Sequence, residues 1–173
     1  MNDKKSVQHT HDHDLTHSMV HYLLAIHKLK ESNGYARVTD IAREMHLTKG
    51  SVSTAVNNLK KRDLVKEDES KFLSLSEYGH KEVHAILSSR TLLFYFLKDF
   101  LDVSEEASHK DSCLMEHLLS EESRGKFFQF MKKMTTGPYK NQFSTSLDLS
   151  NYNSPEEFLK DQKGDSYLKP VHE

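Results

Sequence analysis

VTDIAREMHLTKGSVSTAVNNLKKR, residues 38–62, is the stretch that decides the fold of this 173-residue chain. Its apolar residues recur at helical spacing in two segments, with a turn at residues 46–47 between them. We predict a short helix over Ile41–Met45 and a longer helix over Lys49–Arg62. Two helices joined by a tight turn form a helix-turn-helix unit.

The segments on either side of this unit complete a winged helix-turn-helix. A helix over about Leu15–Lys30 precedes it, and Gly34 supplies the left-handed backbone that commonly follows a helix. After it, Leu64–Leu75 divides into two short strands around the charged turn at residues 67–71. This hairpin is the wing of a domain that we expect to span residues 15–75.

The second helix of the pair has the composition of a DNA-reading helix. No acidic residue lies between Thr48 and Arg62, and the N-terminal half of the helix is small and polar. Such residues let a helix lie deep in the major groove, where side chains contact base edges and phosphates. The alternative is an ordinary amphipathic helix with a solvated basic end. The candidate DNA-binding residues are Arg37, Thr48, Lys49, Gly50, Ser51, Ser53, Thr54, Asn57, Lys60 and Lys61.

The chain after the wing is predicted to be helical, so the fold class is mainly α. Ser76 begins a long helix with more apolar residues than one face can bury against a single small domain. This excess indicates either a dimer interface or an internal three-helix core. Ser104 begins another helix, and a last one runs over about Glu121–Met134. We expect these helices to form a second domain over residues 76–136.

The two ends of the chain lack apolar periodicity. We expect a disordered, His-rich tail over residues 1–14 and a mostly disordered tail over residues 137–173. The formal net charge is −2, so any nucleic-acid-binding surface must be local. A single cysteine, no signal peptide and no apolar run long enough to span a membrane favour a cytoplasmic protein without membrane contact.

Cys113, the single cysteine, shares a predicted helix with Glu116 and His117. Residues at i, i+3 and i+4 lie on one face of a helix, so a thiolate, a carboxylate and an imidazole point the same way. These donors are typical of a transition-metal site, and the soft sulfur disfavours Mg²⁺ and Ca²⁺. The triplet needs at least one further ligand from elsewhere in the chain.

Three stretches before this triplet resemble one known family, in the same order along the chain. They are SMVHY at residues 18–22, GYARVTDIA at residues 34–42 and SVS at residues 51–53. With the triplet, they resemble the family of the diphtheria toxin repressor and the manganese transport regulators. The resemblance implies a homodimer with a winged-helix domain and a helical metal-binding and dimerisation domain. It also implies that a divalent metal turns on binding to a palindromic operator in double-stranded DNA. The chain shows no sign of the SH3-like domain of longer relatives.

The resemblance further implies the missing ligand and the metal. Family members take one ligand from the first helix, at the position of His21, so the predicted primary set is His21, Cys113, Glu116 and His117. Cysteine at position 113 resembles the iron-type members, which makes Fe²⁺ the first candidate. Iron-type members commonly have methionine at the position of His21. The histidine here makes the ligand set more suitable for Zn²⁺, so Zn²⁺ or Mn²⁺ are the alternatives.

The chain departs from the family's pattern at a second, ancillary site. The ligand positions of iron-type members hold Arg90, Phe94 and His109 here. Arginine has no lone pair to donate and phenylalanine has no ligand atom, which leaves His109 as the candidate ancillary ligand. The second carboxylate position of manganese-type members holds Leu24. We therefore expect about one metal per subunit.

Arg90 at this place has two interpretations. In the first, it supplies a fixed positive charge where the family uses a second metal, and it pairs with Glu105, Glu106 or Asp111 near His109. In the second, it is a solvated helix residue without a specific partner. The first interpretation predicts that metal titration saturates near one metal per subunit.

These features together predict a metal-responsive DNA-binding repressor, in which the metal bridges the first helix and the dimerisation domain. One alternative is a winged-helix regulator that senses redox state or a small molecule through Cys113 without a metal. A cysteine hydrolase that uses Cys113 and His117 is disfavoured, because a nucleophile and its base normally approach a cleft from separate elements. We therefore do not expect an enzyme.

Overall fold

The computed structural model describes residues 15–116, 118–136, 138–155 and 157–158. Its N-terminal half is a winged helix-turn-helix, which confirms the predicted fold class. The boundaries differ from the predicted ones by a few residues, because helix ends are weakly marked by apolar periodicity. The elements are α1 (His17–Asn33), α2 (Val38–Glu44), α3 (Lys49–Lys61), β1 (Val65–Glu67) and β2 (Leu73–Leu75).

Local capping fixes the ends of α1 and α3. The Thr48 hydroxyl accepts a hydrogen bond from the Ser51 N–H at 3.1 Å, which satisfies one donor in the first turn of α3. Thr16 caps α1 in the same way. At the other end of α1, Gly34 adopts a φ of 77° and its N–H donates to the Lys30 carbonyl oxygen. The chain therefore turns sharply from α1 into the helix-turn-helix.

The wing is anchored at both of its ends. β1 and β2 pair antiparallel, and Ala36 forms an isolated bridge with Leu73 of β2. The next helix, α4 (Glu77–Tyr95), begins directly against the backbone before β1. A Cβ on Gly79 would lie 2.1 Å from the carbonyl oxygen of Leu64, so only glycine allows this approach. The first turn of α4 is thereby held against the wing.

One hydrophobic core joins the DNA-binding domain to the start of α4. α1 lies at its centre and packs against α2, α3, α4 and β2. Because Val83 and Ile86 of α4 belong to this core, the second domain begins inside the first. A displacement of α1 is therefore transmitted directly to α3. The fully buried residues include Val20, Leu23 and Ile26 of α1, Ile41 of α2, Val52 and Leu59 of α3, and Val83 of α4.

The second half of the chain is helical, as predicted. α4 continues into one π-helical turn over Phe96–Phe100, and α5 (Glu105–Met115) and α6 (Glu121–Thr136) follow. Some of the apolar side chains of α4 are buried within the subunit, in a second core that α4 shares with α6. Its buried members include Leu92, Phe94 and Tyr95 of α4 and Phe128 and Met131 of α6. None of the helices in the described ranges is long and apolar enough to cross a membrane.

The chain after α6 differs from the mostly disordered tail that we predict over residues 137–173. Leu147, Leu149 and Phe158 are buried in the second core, and a 3₁₀ turn spans Lys140–Gln142. Isolated apolar anchors on an irregular segment have no helical or strand period, so their burial leaves no periodic signal in the sequence. The predicted tail at residues 1–14 lies outside the described residues, as does the chain beyond residue 158.

Candidate metal centre and DNA-reading surface

α1 and α5 meet at a cysteine and a histidine that lie 92 residues apart in the chain. The Cys113 sulfur is 3.7 Å from His21 Nε2. Cys113 is buried, with 4% of its surface exposed, and His21 is half-buried. The contact therefore joins a helix of the DNA-binding domain to a helix of the second domain, and its two atoms are both donors for a borderline metal.

A second imidazole lies at the same place. His17 is one helical turn before His21 on α1, and the two ring centroids are 4.3 Å apart. One ligand atom from each of His17, His21 and Cys113 lies within 4.8 Å of the others, so the three side chains can converge on one ion. Sequence reasoning missed His17, although its i, i+4 spacing to His21 places it on the same helix face.

Glu116 lies beside Cys113 and is bound by Arg90. The Arg90 guanidinium donates from Nε to one carboxylate oxygen of Glu116 and from Nη2 to the other, the second at 2.9 Å. The same Nη2 lies 3.0 Å from the Cys113 sulfur. Arg90 is 8% exposed and Glu116 is fully buried. Arg90 is therefore not a solvated residue, and the predicted pairing with Glu105, Glu106 or Asp111 is wrong, because the guanidinium points into the α4–α5 interface instead.

Burial dominates the protonation of these two acidic groups. It raises the pKa of Glu116 to about 7, and the nearby Arg90 charge opposes that rise without overcoming it. Burial also raises the pKa of the Cys113 thiol, with Arg90 lowering it and Glu116 adding to the rise. A metal ligand must be a thiolate, so binding through Cys113 releases a proton.

The ancillary site of the family is filled by other contacts in this chain. Phe94 is buried and its ring stacks on His109 at a centroid distance of 4.3 Å. Lys98 lies over the Phe94 ring and pairs with Glu105 at 3.2 Å, and Glu105 lies 4.0 Å from His109 Nε2. Leu24 is also buried. The Phe94 ring and the Glu105–Lys98 ion pair thus lie beside His109.

The structure brings together three of the four predicted primary ligands. Cys113 contacts His21 directly, and Arg90 links Glu116 to the sulfur. His117, the fourth, lies outside the described residues. The face that Cys113 and Glu116 share on the C-terminal part of α5 could be inferred from their spacing, whereas the arginine between them could not.

The predicted DNA-reading residues form a largely exposed surface on α3 and at its flanks. Lys60 is the exception, because it is half-buried and forms an ion pair with Glu67 of the wing. Arg37 is exposed, and its guanidinium lies 4.3 Å from the centroid of the Phe72 ring, directly before β2. The exposed members are Arg37, Thr48, Lys49, Gly50, Ser51, Ser53, Thr54, Asn57 and Lys61.

Comparison with known families defines the class of this protein. Residues 14–72 match the N-terminal DNA-binding domain of the iron-dependent repressors, and residues 76–143 match their metal-binding and dimerisation domain. The chain therefore belongs to the family of iron-dependent repressors and manganese-responsive transcriptional regulators.

The relatives of this chain include both an MntR regulator and an iron-dependent repressor. The chain is 35% identical over 105 residues to the transcriptional regulator MntR of Geobacillus kaustophilus, covering 61% of this chain and 74% of that one. It is 25% identical over 136 residues to the iron-dependent repressor IdeR of Mycobacterium leprae, covering 79% of this chain and 59% of the relative. The chain thus spans less than two thirds of the length of that longer relative.

Solved structures share the fold. The chain is 21% identical to a hypothetical protein from Sulfolobus solfataricus, with a TM-score of 0.60 over 72% of this chain and 95% of that one. The manganese regulator SloR is 24% identical, with a TM-score of 0.57 over 65% of this chain and 53% of that one. At these identities the likeness concerns the fold alone.

Proposed function

We propose that this chain is a metal-responsive repressor in which one divalent transition metal per subunit binds between α1 and α5. The observation that supports this most strongly is the contact of 3.7 Å between the Cys113 sulfur and His21 Nε2. The donors present fit a borderline ion, since a thiol and imidazoles are the ligands of Fe²⁺, Co²⁺ and Zn²⁺ in proteins. Fe²⁺ is the first candidate, and Zn²⁺ and Mn²⁺ are the alternatives.

The protein would hold the ion with residues from both domains. His21 and Cys113 supply the link between α1 and α5, and Glu116 and His117 are the further ligands that the sequence predicts. A bound ion supplies two positive charges and a rigid connection at this point. Because α1 shares its core with α2 and α3, fixing α1 on α5 also fixes the orientation of α3.

DNA binding follows from that orientation. In a homodimer, two copies of α3 must enter successive major grooves, about 34–36 Å apart along a palindromic operator. Without the link between α1 and α5, the two DNA-binding domains sample several separations, and the metal favours the one that fits DNA. The gain in DNA affinity can be no larger than the difference in metal affinity between the two arrangements. With DNA as its partner, the protein would act in the cytoplasm.

A redox sensor at Cys113 is the weaker alternative. Reactive sensor cysteines are accessible and have a lowered pKa. Cys113 is buried, and burial raises the pKa of its thiol. Both properties slow oxidation and favour a role for the sulfur that begins only when a metal displaces its proton.

The test is DNA binding with and without metal. Fluorescence anisotropy on labelled DNA from upstream of the protein's own gene would be measured in chelator and then in Fe²⁺, Mn²⁺ or Zn²⁺. Binding should strengthen at least tenfold in one of these metals and should not do so in Cys113→Ala, a difference of about 1.4 kcal/mol. Equal binding in chelator and in every metal would refute the proposal.

A further inference from the structure

We propose that Arg90 keeps Glu116 out of the metal's ligand set and that His17 takes its place, so that the ligands among the described residues are His17, His21 and Cys113. This inference rests on the proposed function for the location of the metal between α1 and α5. It concerns which of this chain's residues hold the ion and which ions they accept.

The first observation is the pair of hydrogen bonds between Arg90 and Glu116. Both carboxylate oxygens of Glu116 are engaged, each by a different nitrogen of one guanidinium. A two-point pair of this kind is among the stronger charge-assisted interactions, and arginine cannot release it by losing its proton. Glu116 is fully buried, so bulk solvent does not compete with the arginine for its carboxylate. A metal that recruited Glu116 would have to break this two-point pair inside the protein, which would leave the guanidinium with its contact to the Cys113 sulfur.

The position of His17 is the second observation. His17 and His21 project from consecutive turns of α1, and both are half-buried beside the Cys113 sulfur. Ligand atoms that share one tetrahedral ion lie roughly 3.3–3.8 Å apart, given Zn–N bonds of about 2.0–2.1 Å and Zn–S bonds of about 2.3 Å. Cys113 and His21 already meet this separation at 3.7 Å. His17 reaches it by a small side-chain rotation, because its ligand atom lies within 4.8 Å of the other two.

Arg90 also contacts the centre itself. Its Nη2 lies 3.0 Å from the Cys113 sulfur, where it can donate to a thiolate. The guanidinium thus contacts two acidic groups, the Glu116 carboxyl and the Cys113 thiol, and stabilises the negative charge of each. A cation fixed in the protein thereby lies between α4 and α5, in contact with both Glu116 and Cys113.

The proposed donor set predicts which ions bind. Two imidazoles and one thiolate, without a carboxylate, suit Zn²⁺ and Co²⁺ and disfavour Mn²⁺, which prefers oxygen ligands. We therefore expect Zn²⁺ to bind far more tightly than Mn²⁺, by a factor of at least about 100. The chain would then differ in metal choice from the manganese regulator SloR, whose fold it shares.

Co²⁺ titration tests the ligand set directly. The full-length protein would carry His9, His11 and His13 as alanine in every sample, which removes background binding by that segment. Loss of the thiolate-to-cobalt absorption band in Cys113→Ser would establish the band as the reporter. His17→Ala should weaken Co²⁺ binding at least about tenfold, whereas Glu116→Gln should change it less than about threefold. His27→Ala is the matched control, because His27 lies on α1 beside His80 and His84 instead.

A double variant keeps the test possible if the single variant does not fold. If Glu116→Gln does not fold, Arg90→Gln with Glu116→Gln removes both charges and leaves amides that can bond each other. Retained Co²⁺ binding in this variant supports the inference, and lost binding with a retained circular dichroism spectrum overturns it. A second readout is Arg90→Ala, which frees Glu116 and should raise Mn²⁺ affinity at least about tenfold.

The outcomes separate this inference from the proposed function. If Glu116→Gln abolishes Co²⁺ binding and His17→Ala leaves it intact, the ligand set is wrong while metal-dependent DNA binding stands. If the unsubstituted protein binds neither Co²⁺ nor Zn²⁺, or binds DNA equally without metal, the proposed function fails and the inference fails with it.

Discussion

Arg90 and Glu116, 26 residues apart, form a buried ion pair in which two guanidinium nitrogens meet both carboxylate oxygens. Removing one partner of such a pair leaves an uncompensated charge inside the protein, which costs about 3–5 kcal/mol. Arg90→Met should therefore lower the free energy of unfolding by about that amount at pH 8 in chelator, as measured by urea denaturation.

The control for this prediction is a second substitution in the same background. Glu116→Gln added to Arg90→Met replaces the unpaired carboxylate by a neutral amide, which costs less to bury. The double variant should therefore be more stable than Arg90→Met alone. Equal stability of the unsubstituted protein and Arg90→Met would show that the pair contributes nothing to folding.

Gly79→Ala should destabilise the wing. The added methyl group would lie 2.1 Å from the Leu64 carbonyl oxygen, and a backbone atom cannot move aside as a flexible side chain can. We expect a loss of at least about 1–3 kcal/mol in the free energy of unfolding, the usual range for overpacking.

Gly125→Ala is the matched control for this substitution. Gly125 lies within α6, and a Cβ there meets no atom within 4 Å. Alanine is the better helix former, so this variant should gain up to about 1 kcal/mol. Thermal unfolding followed by circular dichroism would measure both variants, and a destabilised Gly125→Ala would show that the method does not isolate the steric effect.

Lys60 and Lys61 should contribute unequally to DNA binding. Lys61 is exposed, whereas the ammonium of Lys60 is paired with Glu67 of the wing. A lysine that contacts phosphate releases about one counterion, so Lys61→Ala should weaken binding and reduce the salt slope by about 1. Lys60→Ala should change the salt slope less. Anisotropy at several salt concentrations, in the presence of metal, would measure both, and equal slopes for the two variants would contradict the prediction.

Much of the fold could be predicted from the sequence because its causes are local. Gly34 and Ser76 mark helix ends, and the spacing of apolar residues marks the helices. The face shared by Cys113 and Glu116 follows from the helical period alone. These features depend on neighbours within one or two turns, which a single sequence displays.

The features that could not be predicted depend on distant contacts. The partner of Arg90 is 26 residues away on another helix, and several acidic residues closer to the expected site were equally plausible from the sequence. His17 is one of twelve histidines, and only its approach to Cys113 distinguishes it. Leu149 and Phe158 pack as single anchors without a period. Each of these contacts requires the tertiary structure.

The ion pair of the wing should make stability depend on pH. The hydrogen bond from Lys60 is the largest cause that holds the pKa of Glu67 below its usual value of 4.5. A carboxyl group whose pKa is lowered by folding stabilises the protein above its unfolded pKa, and this contribution is lost as the pH falls through the folded pKa. Because the pair is substantially exposed, we expect only about 0.2–1 kcal/mol. Urea denaturation should show Glu67→Gln to be less stable than the unsubstituted protein at pH 6, with a smaller difference at pH 3.5.

We expect the number of metal ions per subunit to depend on Phe94, since its ring stacks on His109, the candidate ancillary ligand that the resemblance implies. We expect equilibrium dialysis with Zn²⁺ to give one tight site per subunit, with the N-terminal histidines replaced by alanine. Arg90→His combined with Phe94→Glu restores an imidazole and a carboxylate beside His109. This variant should bind a second ion, and it should be less stable in chelator, because Arg90→His takes the arginine's two hydrogen bonds away from buried Glu116. Two tight sites in the unsubstituted protein would show that His109 acquires other ligands, and one site in the double variant would show that these positions do not form the ancillary site.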